Sequence, residues 1–81
     1  MREQAVIQYR ESLRLEERRD NTFGAGVTRL NIATEFLPLG RHSESEQYAA
    51  AALRDFLTVG ETAMDEAVQA RALLARIQSD G

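Results

Sequence analysis

Residues 30–53 read Leu30-Asn31-Ile32-Ala33-Thr34-Glu35-Phe36-Leu37-Pro38-Leu39-Gly40-Arg41-His42-Ser43-Glu44-Ser45-Glu46-Gln47-Tyr48-Ala49-Ala50-Ala51-Ala52-Leu53. Pro38 lacks the amide that would bond back to Thr34, so a helix arriving from the N-terminal side must end there. Gly40 supplies a left-handed exit. Ser43-Glu44-Ser45-Glu46 has the form of a capping box, with Ser43 as cap and Glu46 three residues on, and it opens the next helix. Along that helix Tyr48, Ala49, Ala52, Leu53, Phe56 and Leu57 recur at three-to-four spacing, which makes one apolar stripe. The small residues from Ala49 to Ala52 let a partner helix come close. The stretch therefore encodes two helices joined by a tight turn.

Outward from this hairpin the same chemistry repeats. The helix before Pro38 spans residues 22–37, after the turn and cap residues Asp20-Asn21-Thr22. Gly24 and Gly26 weaken its first turn by about 1 kcal/mol each relative to Ala, a cost that points to close backbone approach by a neighbour. Val27, Leu30, Ile32, Ala33, Phe36 and Leu37 spread around more than one face, so this helix is expected to be covered on two sides. A preceding helix over 3–18 places Ala5, Val6, Tyr9, Ser12 and Leu13 on one face. Its opposite face is charged, and Arg18-Arg19 favours the negative end of the helix dipole. After the helix over 43–57, Gly60-Glu61-Thr62 closes a loop and a fourth helix spans 62–78. Met64, Ala67, Val68, Ala70, Leu74, Ala75 and Ile77 give it a broad apolar surface. Strand-like alternation is absent, so the expected class is all-α, built of antiparallel helical hairpins.

The totals fit one small helical domain over residues 1–81. Apolar residues are 43% of the chain and charged residues 28%, with a net charge of −3. That balance argues against nucleic acid as a partner, since such binding needs a basic footprint. With no cysteine there is no disulfide framework and no thiolate chemistry. His42, the single histidine, sits in the turn after Gly40 and reads as a surface residue. Gly24-Ala25-Gly26 lacks the further glycine and the preceding strand of a nucleotide fingerprint. No catalytic constellation, metal site or cofactor is expected. No leader-like apolar core or membrane-spanning run occurs, so a cytoplasmic protein with no membrane partner is the expectation.

The chain also resembles itself. A shift of 42 superposes Ala25, Arg29 and Ala33 on Ala67, Arg71 and Ala75, with Ile32 meeting Leu74. A shift of 40 superposes Leu13-Arg14 on Leu53-Arg54. The second helix thus resembles the fourth, and the first resembles the third. The order of residues in the central hairpin adds to this: Ile32-Ala33, then Phe36, then Gly40-Arg41, then Ser45, Tyr48 and Ala52-Leu53. At these spacings the chain resembles the tetratricopeptide repeat family, in its longer kinesin-light-chain-like and bacterial form.

The resemblance implies one full repeat from Phe23 to Leu57, flanked by the last helix of one repeat and the first of another. It implies an α-solenoid fragment of four helices. Its function would be a protein–protein interaction module that binds a peptide or partner protein in the groove of the second and fourth helices. Asn31 matches the asparagine that holds a peptide backbone in that family, with Leu30, Thr34 and Leu37 beside it, the other reading of the two leucines being simple core packing. The other reading of Asn31 is an inter-helix or capping hydrogen bond. Arg29, Arg71 and Arg76 read either as a basic strip that attracts an acidic peptide or as an ordinary solvated helix face. Against the family pattern, Arg29 and Arg71 stand where an aromatic is usual, Ser45 replaces Ala, and no proline follows Leu57. Two other roles are open: an assembly element that forms a homo-oligomer, or a small four-helix regulator with a closed bundle. The fourth helix has Met64, Val68, Leu73, Leu74 and Ile77 too widely distributed for one neighbour to cover. Self-association through Leu73 and Ile77, or docking onto further repeats of a longer array, is therefore expected.

Overall fold

Asn21 sets the start of the second helix: its side-chain oxygen accepts the Gly24 amide at 3.0 Å, the bond an N-cap residue is suited to make. Just before it, Asp20 takes a left-handed φ of 54°, a conformation that Asp tolerates better than most residues. The computed structural model describes residues 2–80. They form α1 (Arg2–Arg18), α2 (Thr22–Phe36), α3 (His42–Val59) and α4 (Met64–Asp80). Single tight turns, Leu37–Leu39 and Glu61–Ala63, precede α3 and α4, and no strand occurs among the described residues. The all-α expectation holds, and so does the order of the hairpins.

Pro38 acts as expected, since α2 stops at Phe36 and the chain tightens through Leu37–Leu39. Gly40 follows in the left-handed region at φ 76°. The capping box, however, does not form. Arg41 is the cap residue of α3, its carbonyl accepting the Ser45 amide at 2.9 Å, and no side chain caps the helix, since a guanidinium has no acceptor to offer. The helix therefore begins before Ser43 reaches a cap position. Ser43 is exposed, and Glu44 instead chelates Arg41 through contacts of 2.7 and 3.1 Å.

The helices stack in chain order: α1 on α2, α2 on α3 and α3 on α4, with α2 and α4 touching lightly. No substantial contact joins α1 to α4, so the stack is open and not a closed four-helix ring. The Cα extents, 31 × 25 × 15 Å, describe a slab. Three apolar clusters hold it. Val6 with Ile32 and Phe36 joins α1 to α2, with Tyr9, Leu13 and Tyr48 packed around them. Ala52, Phe56, Ala63, Ala67 and Ala70 join α3 to α4 beneath Val27 and Leu30 of α2. Ala33, Leu37, Ala49 and Ile77 close the far end.

Small residues make these approaches possible. Ala49, Ala52, Ala63, Ala67 and Ala70 have no exposed surface at all. A Cβ on Gly26 would lie 2.7 Å from the Phe56 ring, so that glycine marks a place where α3 packs too closely on α2 for a side chain. Ser45 is equally buried, and its hydroxyl donates to the Ala33 carbonyl at 2.7 Å. Both residues tie α2 to α3, and α2 is covered on two sides as its sequence suggests.

Candidate interaction surface

The polar ties between helices converge on α2. Arg29 is half-buried and reaches in two directions, to Glu17 of α1 at 2.9 Å and to Asp55 of α3. From the adjacent position, the Thr28 hydroxyl donates to Glu16 at 2.6 Å. Arg29 is thus consumed in holding α1 and α3 on either flank of α2. It does not belong to a free basic strip, which corrects that expectation. The carboxylates that claim it lie 12 residues before it and 26 after it, too far along the chain for local patterning to show.

The other expected site residues divide. Asn31 is exposed, and its amide has no hydrogen-bond partner among the described residues, so it is neither a cap nor an inter-helix tie. Thr34 is exposed beside it, with its hydroxyl donating to the Leu30 carbonyl at 2.9 Å. Leu30 is half-buried against the α3–α4 alanines. Leu37 is buried in the far-end cluster and does not line a groove. Ile77 is only 3% exposed and packs in the same cluster, with Leu73 partly buried against it. The self-association contact expected of Leu73 and Ile77 is thereby corrected: these side chains serve the core, because α4 is received by α2 and α3 together. Arg71 and Arg76 are exposed and have no ion-pair partner among the described residues.

What stands uncovered on α4 is a different row. Met64 is 47% and Val68 57% exposed, and Arg71 and Ala75 lie exposed at the next steps of the same helical stripe. On α2 the corresponding outward row is Phe23, Val27, Asn31 and Thr34. Phe23 is 39% exposed, although its ring leans on Phe56 at 5.9 Å between centroids.

Two features escape sequence reading. Both Arg10 and Arg41 lie over the Phe36 ring, at 5.7 and 4.5 Å from its centroid, the distances of cation–π contact. The hydrogen bonds that Arg41 donates to the Glu44 carboxylate hold its guanidinium above its ordinary pKa. Glu3, Val6, Ile7 and these groups line a cleft of about 220 Å³. A second hollow, about 160 Å³, is lined by Glu16, Glu17, Asp20, Arg29 and Asp55. Among the described residues no group of three or more His, Asp or Glu is placed to hold a metal ion. No helix there is long and apolar enough to cross a membrane. His42 sits half-exposed at the start of α3, with Nδ1 3.2 Å from the Gly40 carbonyl oxygen.

The chain matches no protein-family model, no curated protein and no solved structure.

Proposed function

We propose that this chain is a protein-interaction module, a short open stack of helices that binds a partner protein or peptide across the outward faces of α2 and α4. The observation that carries the reading is the outward row of α2. There Asn31, an exposed amide able to donate and accept at once, has no partner among the described residues and stands beside exposed Thr34 and half-buried Val27. An unpaired amide on a surface that is partly apolar suits an extended peptide backbone, whose own groups alternate donor and acceptor. Arg76 and Arg71 supply exposed positive charge on α4. The resemblance of the central hairpin to tetratricopeptide repeats supports the same role, and a non-catalytic one.

The test compares the full chain with an Asn31→Lys/Thr34→Lys variant as baits in cross-linking capture. Proteins held by the parent chain should be lost by the variant while both melt at the same temperature, since the two positions are exposed. Identical captured sets would refute the reading.

A further inference from the structure

We infer that the cleft where α1 meets the turn between α2 and α3 is a binding site for a phosphate monoester, held by the guanidinium groups of Arg10 and Arg41. This site lies apart from the faces of α2 and α4 invoked for the interaction module and shares no residue with them.

Like charges repel, yet Arg10 from α1 and Arg41 from the turn lie over the same ring, Phe36, at 5.7 and 4.5 Å from its centroid. The ring attracts both, and so gathers two cations that would otherwise separate. Phe36 itself is 1% exposed, so the two exposed guanidinium groups are what a ligand meets. Glu44 answers Arg41 at Nε and Nη2, at 2.7 and 3.1 Å. Nη1 of Arg41 and every donor of Arg10 have no acceptor among the described residues. The contacts with Glu44 also fix where the Arg41 fork sits, which lowers the ordering cost of binding.

The cleft selects the ligand. Its volume is about 220 Å³, and Val6 and Ile7 line it beside the arginines. Ile7 is 58% exposed, apolar surface that the organic part of a ligand can cover. Glu3 lines the cleft too, but its carboxylate bonds to neither arginine, so the donors stay unanswered. A further carboxylate, with two oxygens and one charge, can satisfy one fork but not both. A phosphate brings three acceptor oxygens and nearly two charges, enough to bridge the forks and to outweigh Glu3.

The probe is phenyl phosphate, titrated at low salt into the isotope-labelled full chain and followed through the arginine Nε–H signals. Saturable shifts should appear at Arg10 and Arg41. Arg10→Gln should weaken binding about ten-fold, whereas Glu3→Gln should tighten it about two-fold by removing an opposing charge. Arg14→Gln, on α1 outside the cleft, should change nothing. Inorganic phosphate should bind more weakly than phenyl phosphate, since it has no carbon to lay against Ile7, and benzoate more weakly than either. Absence of any shift at millimolar probe overturns the inference. Benzoate binding as well as phenyl phosphate would make the site one for carboxylates, and inorganic phosphate matching it would make the site one for a bare ion; either result overturns the assignment. So does an equal loss in Arg10→Gln and Arg14→Gln, which would mean attraction to diffuse surface charge. Arg10→Gln could also loosen the cover of Phe36, but Glu3 is exposed and unbonded among the described residues, so a Glu3→Gln chain that binds no tighter refutes the site without any question of folding.

Discussion

Replacing Ala52 with Leu tests the closeness of the α3–α4 contact. Ala52 has no exposed surface and sits in a cluster with Phe56, Ala63, Ala67 and Ala70, each likewise fully buried. A Leu there adds three heavy atoms to a cluster of alanine methyls and the fully buried Phe56 ring, with Val27, Leu30, Leu53 and Val59 packed around it. The alanine methyls cannot yield, so the added atoms must be taken up by shifts of the helices or of the partly buried leucines. Overpacking of this sort costs roughly 1–3 kcal/mol, while the difference in helix propensity between Ala and Leu is small. For a domain of this size each kcal/mol lowers the melting temperature by about 4–8 °C. The expected fall is therefore between about 4 and 24 °C. Ala72, exposed on α4, is the control: Ala72→Leu changes the same atoms in the same type of helix and should stay within about 0.5 kcal/mol. Thermal melts followed by circular dichroism decide it. Equal melting of the two variants would mean that α3 and α4 are not in close contact, and the packing argument would fall.

Two further outcomes follow from the buried residues. Ser45→Ala should cost about 0.5–1.5 kcal/mol in urea unfolding, because one buried hydrogen bond is lost while the Ala33 carbonyl keeps its bond from the Leu37 amide; no loss would show the hydroxyl to be idle. Ile77→Glu should destabilise at neutral pH by more than about 3 kcal/mol, since it removes apolar packing and buries a carboxylate. Burial raises the pKa of that carboxylate, so its charge penalty is present above the raised value and relieved as pH falls through it. Stability that is unchanged at pH 7, or that worsens on mild acidification relative to the parent, would contradict the placement of Ile77.

The fold is legible where local chemistry dictates it. Pro38 and Gly40 end a helix whatever surrounds them, and the recurrence of apolar residues marks each helix to within a few positions. Gly26 is legible for the same reason: a glycine kept inside a helix at a cost implies a neighbour too close for a methyl group. The candidate surface is legible only in part. Asn31 and Thr34 are exposed, Leu37 takes the core-packing role that is its other reading, and Ile77 is buried too, because periodicity reveals that a helix has a wide apolar surface without revealing how many neighbours share it. The ion pairs of Arg29 are hidden from the sequence for a kindred reason. Its charge looks free in the sequence, and only the approach of α1 and α3 from either side brings Glu17 and Asp55 to it. Ser43 shows the limit at a helix end, where a single residue of shift turns a cap into an exposed side chain.

The stacking of helices in chain order bears on how the structure is reached. Since each helix meets chiefly the ones adjacent to it in sequence, the loops that must close are short and their entropic cost is low. Chains dominated by such local contacts cross their folding barrier in microseconds to milliseconds. The α2–α3 hairpin, tied by Gly26, Ser45 and Arg29, contains the ingredients of a nucleus on which α1 and α4 can condense separately. A lesion in either outer helix would then act mainly by hastening its detachment, while one in the central hairpin would slow the formation of the whole.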